Sequence, residues 1–154
     1  MPDDTLHLTR VFELCAQVGA VQDLGEFRGG RRRVIPILGG ELRGSGLEGQ
    51  VLPGGADWQT MQPDGVTHLT ARYTVKMSDG AILGIVNSGV RRAASEIAKQ
   101  LSAGVDVDPA LYYFVTQPMF EIGPGPYHWL TQQVFVARGT RHPECVVLQV
   151  YSVD

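Results

Sequence analysis

The chain has 154 residues, 44% of them hydrophobic and 19% charged, with a formal net charge of −3. That length suits one domain with a real core, spanning 1–154, and no apolar run approaches the roughly 18 residues of a membrane span. A mildly acidic chain offers no field to draw in nucleic acid, and Met1-Pro2-Asp3-Asp4 lacks the basic-then-apolar pattern of a secretion signal, so a cytoplasmic protein without membrane or nucleic-acid partners is expected.

Taken in chain order, Leu6, Leu8, Phe12, Leu14, Ala16 and Val18 fall on even positions with polar residues between them, the period of a half-buried strand. Arg28, Arg31, Arg32 and Arg33 follow, interleaved with glycine and not with stacking aromatics, which reads as a solvated loop or an intersubunit contact. Val34-Ile35-Pro36-Ile37-Leu38, Gly39-Gly40 and a glycine-interrupted run to Leu52 predict short bent strands, with Pro36 at an edge or bulge. Pro53-Gly54-Gly55 is a turn. Val66 to Asn87 reads as a hairpin around Asp79-Gly80, with Leu69, Ala71, Tyr73, Val75 and Met77 on one face and His68, Thr70, Arg72, Thr74 and Lys76 on the other.

Helical spacing occurs once, over about 91–103, where Ala93, Ala94, Ile97, Ala98 and Leu101 recur at threes and fours and Gly104 ends the run. Tyr112–Ile122, Tyr127–Arg138 and Glu144–Val153 read as three further strands. Several late strands, among them Cys145-Val146-Val147-Leu148, are apolar on both faces, so something covers both sides. The expected fold is therefore mainly β, a single antiparallel β-barrel with one short helix; a two-sheet sandwich is the alternative. Cys15 and Cys145 read as small buried residues, far apart in sequence and placed for neither a disulfide nor a metal.

No phosphate-binding loop, dinucleotide fingerprint, zinc-protease motif or serine elbow is present, and the four histidines do not fall at paired ligand spacings. No metal or cofactor is expected. The densest polar segment is Leu52 to Gln59, where a glycine turn delivers Asp57 and Trp58 to a barrel mouth. Asp57 is either a general acid or base raised in pKa by its apolar neighbours, or a turn cap; Trp58 lines a pocket or fills core. Arg72 either faces a wet cavity, where it suits a carboxylate or an internal acid such as Asp57 or Glu121, or stands on the surface. Asn87 and Arg91 face the barrel end just before the helix, with Ser88 as a possible cap. Phe120-Glu121 and Tyr127-His128-Trp129-Leu130 flank Gly123-Pro124-Gly125-Pro126, concentrating aromatics that form either a pocket wall or core.

Gly39-Gly40, the Gly49 to Gln59 segment with Pro53-Gly54-Gly55-Ala56-Asp57-Trp58-Gln59 at its centre, Ala71-Arg72-Tyr73, Asp79-Gly80, Asn87-x-Gly89-Val90-Arg91 and Tyr127-x-Trp129-Leu130 together resemble an uncharacterised bacterial and fungal family. That family is known as uncharacterised protein family 0311, or domain of unknown function 3237, and the resemblance runs from about Leu8 to Val153. It implies a barrel similar in shape to allene oxide cyclases and dirigent proteins, which hold small apolar ligands and often form oligomers. Carried over by position, its polar motif residues are Asp57, Arg72, Asn87 and Arg91, with Trp58, Tyr73, Tyr127 and Trp129 as aromatics. Thr131 departs from the family's usual Asn after Trp-Leu.

The resulting expectation is a cofactor-independent isomerase, cyclase or lyase acting on a small, partly apolar carbonyl or carboxylate compound. Arg72 or Arg91 would hold the anion and Asp57 would move the proton; Trp58, Tyr73, Asn87, Glu121, Tyr127 and Trp129 would contact ligand. The alternative is a non-catalytic binding or scaffold protein of the same shape. A homo-oligomer, with a dimer favoured, is expected in either case.

Overall fold

A computed structural model describes residues 4–154; Met1, Pro2 and Asp3, within the segment read above for a secretion signal, lie outside them. The strands are β1 (Leu8–Val18), β2 (Gln22–Phe27), β3 (Gly30–Gly44), β4 (Leu47–Val51), β5 (Gly55–Met61), β6 (Val66–Met77), β7 (Ile82–Arg92), β8 (Tyr113–Glu121), β9 (Phe135–Arg141) and β10 (Cys145–Val153). The α-helix α1 (Ser95–Ser102) lies between β7 and β8. Every strand runs antiparallel to its neighbours, and β1 pairs with both β3 and β10, so the sheet closes into an eight-stranded barrel. Closure replaces the sandwich alternative. It also removes the open edges on which another chain could grow.

Two of the eight staves are broken. β1 pairs β3 as far as Val18–Ile37, and β2 resumes along the same side of β3 at Gln22–Val34. Pro36 sits at this gap: it has no N–H to give, and its carbonyl accepts from the Gly19 amide at 2.9 Å. On the other side of β3, β4 and β5 are two halves of one stave between β3 and β6, parted by Pro53-Gly54. β2 carries no alternating pattern because nearly all of it is exposed.

The interior follows the period of two. On β6, Leu69, Ala71, Tyr73, Val75 and Met77 point inward and are buried, while His68, Thr70 and Arg72 are outside. On β1 the inward series begins only at Phe12, because the register shifts between Arg10 and Phe12; Leu6 and Leu8 are exposed.

The barrel is filled differently at its two ends. At one, Phe120 meets Phe12 edge-on at 5.8 Å and Phe135 at 5.0 Å, and Trp129 tilts against Phe135 at 6.1 Å. Burying each such ring contributes about 1.5–3 kcal/mol. This plug accounts for a correction: Tyr127–Arg138 is not one strand. His128–Thr131 forms a 3-10 turn that drives Tyr127 and Leu130 into the core, and the strand begins at Phe135.

At the other end, Leu101 of α1 packs with Val107 and Tyr112 on Leu69 and Phe114. Leu69 and Phe114 are inward residues, so the helix and the segment after it cover that mouth of the barrel. The helix is also shorter than the 91–103 of the sequence reading. Arg91 and Arg92 extend β7 by pairing with Phe114 and Tyr113, and Ala94 caps the helix without a side-chain bond. Ser88 is no cap; it is on β7, outside, beside the Thr70 hydroxyl at 3.1 Å.

The cysteines are corrected as well. Cys15 and Cys145 are half-buried free thiols on paired strands. Burial first, and the Cys145 thiol second, push Cys15 above its ordinary value. Among the described residues no helix is long and apolar enough to cross a membrane.

Candidate functional site

Beneath the covered mouth lies an internal cavity of about 40 Å³. That is room for roughly three water molecules. Its apolar wall comes from β1, β3, β6, β8 and β10, through residues such as Ile35, Leu69, Ala71, Phe114 and Leu148. The polar side chains come from other staves: Asp57 and Gln59 on β5, Asn87 and Arg91 on β7, and Arg141 at the end of β9, with Tyr73 of β6 completing the set. Alternation aims each of them inward, since Asp57 and Gln59 are two apart on β5, and Asn87 and Arg91 share parity with Leu83 and Ile85 on β7.

Hydrogen bonding inside is incomplete. Arg33 Nη2 donates to Gln59 Oε1 at 2.7 Å, and Gln59 Nε2 donates to Asp57 Oδ2 at 2.8 Å, a relay from β3 across β5. Asp57 Oδ1 and Asn87 Oδ1 are buried without a partner among the described residues. Arg91 is 5% exposed, and its guanidinium lies 5.9 Å from the Phe114 ring with no ion pair or hydrogen bond to a described residue. Arg141 Nη1 donates to the His142 carbonyl at 2.7 Å, and the Arg141 amide donates to the Tyr112 hydroxyl at 2.9 Å, which ties the cover to β9.

Burying such groups costs several kcal/mol per unpaired ion, so the arrangement is poor for stability and good for a ligand. Burial pushes the Asp57 carboxyl above the ordinary carboxylate range, outweighing the Gln59 hydrogen bond and the attraction of Arg91, Arg33 and Arg141. Burial, with repulsion from Arg33 and Arg141, pulls Arg91 down to about 10. Arg33 and Arg141 are lowered by burial too. Burial, seconded by the Asp57 charge, holds the Tyr73 phenol well above its ordinary value, so it remains an O–H donor at neutral pH.

Of the residues singled out from sequence, Asp57, Tyr73, Asn87 and Arg91 converge on the cavity. Asp57 reaches it from within a strand and not from a mouth loop. Arg72 is outside: its side chain is 73% exposed and 4.0 Å from Glu121, also exposed, a surface pair worth under about 1 kcal/mol. Trp58 is 50% exposed on the outer face. Tyr127 and Trp129 belong to the aromatic plug and do not line the cavity.

Arg33 and Arg141 were not singled out from sequence as site residues. Arg33 shares parity with the inward Ile35 and Ile37, a signal that was there to be read; Arg141 falls within Thr140-Arg141-His142-Pro143, which in sequence reads as a break between strands and hid it. Among the described residues no group of three or more His, Cys, Asp or Glu side chains is placed to hold a metal.

In class this is a closed β-barrel with a charged interior cavity under a helical cover. The sequence profile of the family described as protein of unknown function (DUF3237) matches residues 6–153, and the chain belongs to that family. A UPF0311 protein of Rhodopseudomonas palustris is 43% identical over 149 residues, 97% of each chain. The crystal structure of a conserved protein of unknown function from the same organism superposes with a TM-score of 0.93 at 42% identity, covering 99% of this chain and 100% of that one. An enzyme from Penicillium herquei, at 16% identity and a TM-score of 0.74 over 100% of this chain and 98% of its own, shares the fold alone.

Proposed function

We propose that the barrel binds a small, partly apolar carbonyl or carboxylate compound in this cavity and moves a proton on it without a cofactor, as an isomerase, cyclase or lyase. The observation that carries this reading is a buried carboxyl, Asp57, with one oxygen unpartnered and its pKa raised, facing the unpaired cation Arg91 across an apolar-walled cavity. A general acid or base works best when its pKa is drawn toward the working pH, and burial draws Asp57 that way. Arg91 and Arg141 hold the anion and stabilise developing negative charge, the work the sequence reading gave to Arg72 or Arg91. Tyr73 and Asn87 hydrogen-bond the reacting group. Ligand enters when the segment of α1 and residues 103–112 moves aside.

Non-catalytic binding is the second reading, favoured by the small size of the cavity. Thermal melting against fractionated cell extract finds the ligand in either case, because a molecule that binds only the folded state raises the melting temperature. Incubation of that ligand with wild type and with Asp57→Asn separates the readings. Chemistry requires product from the first only; the binding reading requires none from either.

A homodimer in the cytoplasm completes the proposal. Trp58 on β5 and Met119 on β8, 50% and 67% exposed, supply apolar surface on the outer face with β6 and β7 between them, and two free thiols on paired strands suit a reducing compartment. Sedimentation equilibrium is expected to give twice the chain mass, with Trp58→Arg shifting it to one; a monomer in the wild type ends this part of the proposal.

A further inference from the structure

Around the cavity, charge does not balance. Two cations line it, Arg91 and Arg141, against one lining carboxyl, Asp57, which leaves a formal surplus of one positive charge when that carboxyl is ionised and of two when it is neutral; Arg33, behind Gln59, is shared between Asp57 and Asp23. Gln59 occupies Asp57 Oδ2 and also holds Arg33, so neither cation lining the cavity is hydrogen-bonded to the acid. Arg91 has no polar partner among the described residues, and Arg141 has only a carbonyl.

The two lining cations also come from different strands. Arg91 is on β7 and Arg141 on β9; β8 runs between them, and its Phe114 pairs with Arg91 in register and lines the cavity. Strand spacing sets their backbones roughly 10 Å apart. Two cations rooted on separate strands over an apolar floor offer two stations, one for each of two anionic groups.

We propose that the cavity takes a small organic diacid, two acidic groups on a short apolar skeleton, one held by Arg91 and the other by Arg141. This rests on the reading that the polar end of the barrel binds a ligand. A monoacid leaves one buried positive charge uncompensated, and a dianion cancels both. Size keeps the skeleton short, because the cavity is only about 40 Å³ and a longer chain would have to displace the cover. Asp57 then meets the skeleton between the two acid groups, where a proton alpha to a carboxylate would lie.

Isothermal titration of the full chain at constant ionic strength, with malonate, succinate, butyrate and methylphosphonate as probes, tests the proposal. Malonate or succinate is expected to bind at least about tenfold tighter than butyrate. Arg141→Met should erase that preference while still binding butyrate, and Arg141→Lys should retain part of it; melting curves for both variants verify that they fold. Butyrate binding as tightly as the diacids overturns the proposal, and methylphosphonate outcompeting them overturns the two-station arrangement in favour of one dianionic group. If none of the probes binds but a ligand from cell extract does, and Arg91→Met abolishes its binding, the diacid assignment alone fails. If extract yields no ligand either, the reading beneath it fails as well.

Discussion

Asp57→Asn is expected to leave the barrel folded and to lower turnover of the site's substrate by ~10²–10⁴-fold, the usual contribution of a positioned acid or base. The same substitution should act on stability in the opposite sense. The folded protein holds the Asp57 carboxyl above its ordinary value, chiefly through burial, so folding favours the neutral acid. For such a group the stabilising contribution is fully present below the unfolded pKa and is lost as pH rises through the folded one. Asn imitates the neutral acid at every pH. Urea unfolding from about pH 4 to about pH 7 should therefore show wild type losing stability relative to Asp57→Asn as pH rises. A variant destabilised at neutral pH would mean that Asp57 is ionised and structurally paired with its arginines, and that the fold itself needs the charge. A substrate turned over equally well by the variant would remove Asp57 from the chemistry.

Gly40→Ala should be the most damaging single methyl group in the barrel. Gly40 has φ +131° and pairs with Ala16 of β1, and a Cβ there would lie 1.8 Å from the Cys15 carbonyl oxygen and 2.9 Å from its carbon. Neither atom can yield without parting β1 from β3, the seam at which the barrel closes. The expected loss is roughly 4 kcal/mol or more, enough to leave a protein of ordinary stability largely unfolded. Gly54→Ala is the control. Gly54 also has positive φ, +106°, but nothing lies within 4 Å of the added carbon, so only the conformational cost of about 1–2 kcal/mol applies. Similar losses for the two variants in chemical denaturation would show that the clash at the seam is relieved cheaply.

Much of the fold was legible because a barrel imposes one rule on every full stave. β6 shows it plainly: its five inward residues alternate without interruption, and the two-sided apolar strands implied closure. β2 escaped because it lies exposed against β3 and buries no regular face. The helix was read too long because Arg91 to Ala94 happen to continue its spacing, while register with β8 claims the first two of them for β7.

The site was half legible, and for the same reason. Asn87 and Arg91 follow the parity of Leu83 and Ile85, so their inward direction could be read directly. Arg72 follows the opposite parity to Leu69, Ala71 and Tyr73. Placing it in a wet cavity assumed that the apolar face of β6 was the outer one, whereas the interior is the apolar face and the surplus charge is confined to one end of it. An interior arginine at a strand end, such as Arg141, looks in sequence like a surface arginine. Only closure brings it opposite Asp57.

The most direct test of the central claim is a binding isotherm for a carboxylate-bearing ligand of this protein, taken on wild type and on Arg91→Met. Met matches the length of the arginine stem, and replacing a buried unpaired cation by an apolar residue should leave stability unchanged or raise it by about 1–4 kcal/mol. Saturable one-to-one binding by wild type, weakened at least about a hundredfold in a variant that melts no lower, is the predicted result. Equal binding by the two proteins would contradict the assignment of the ligand to the barrel interior.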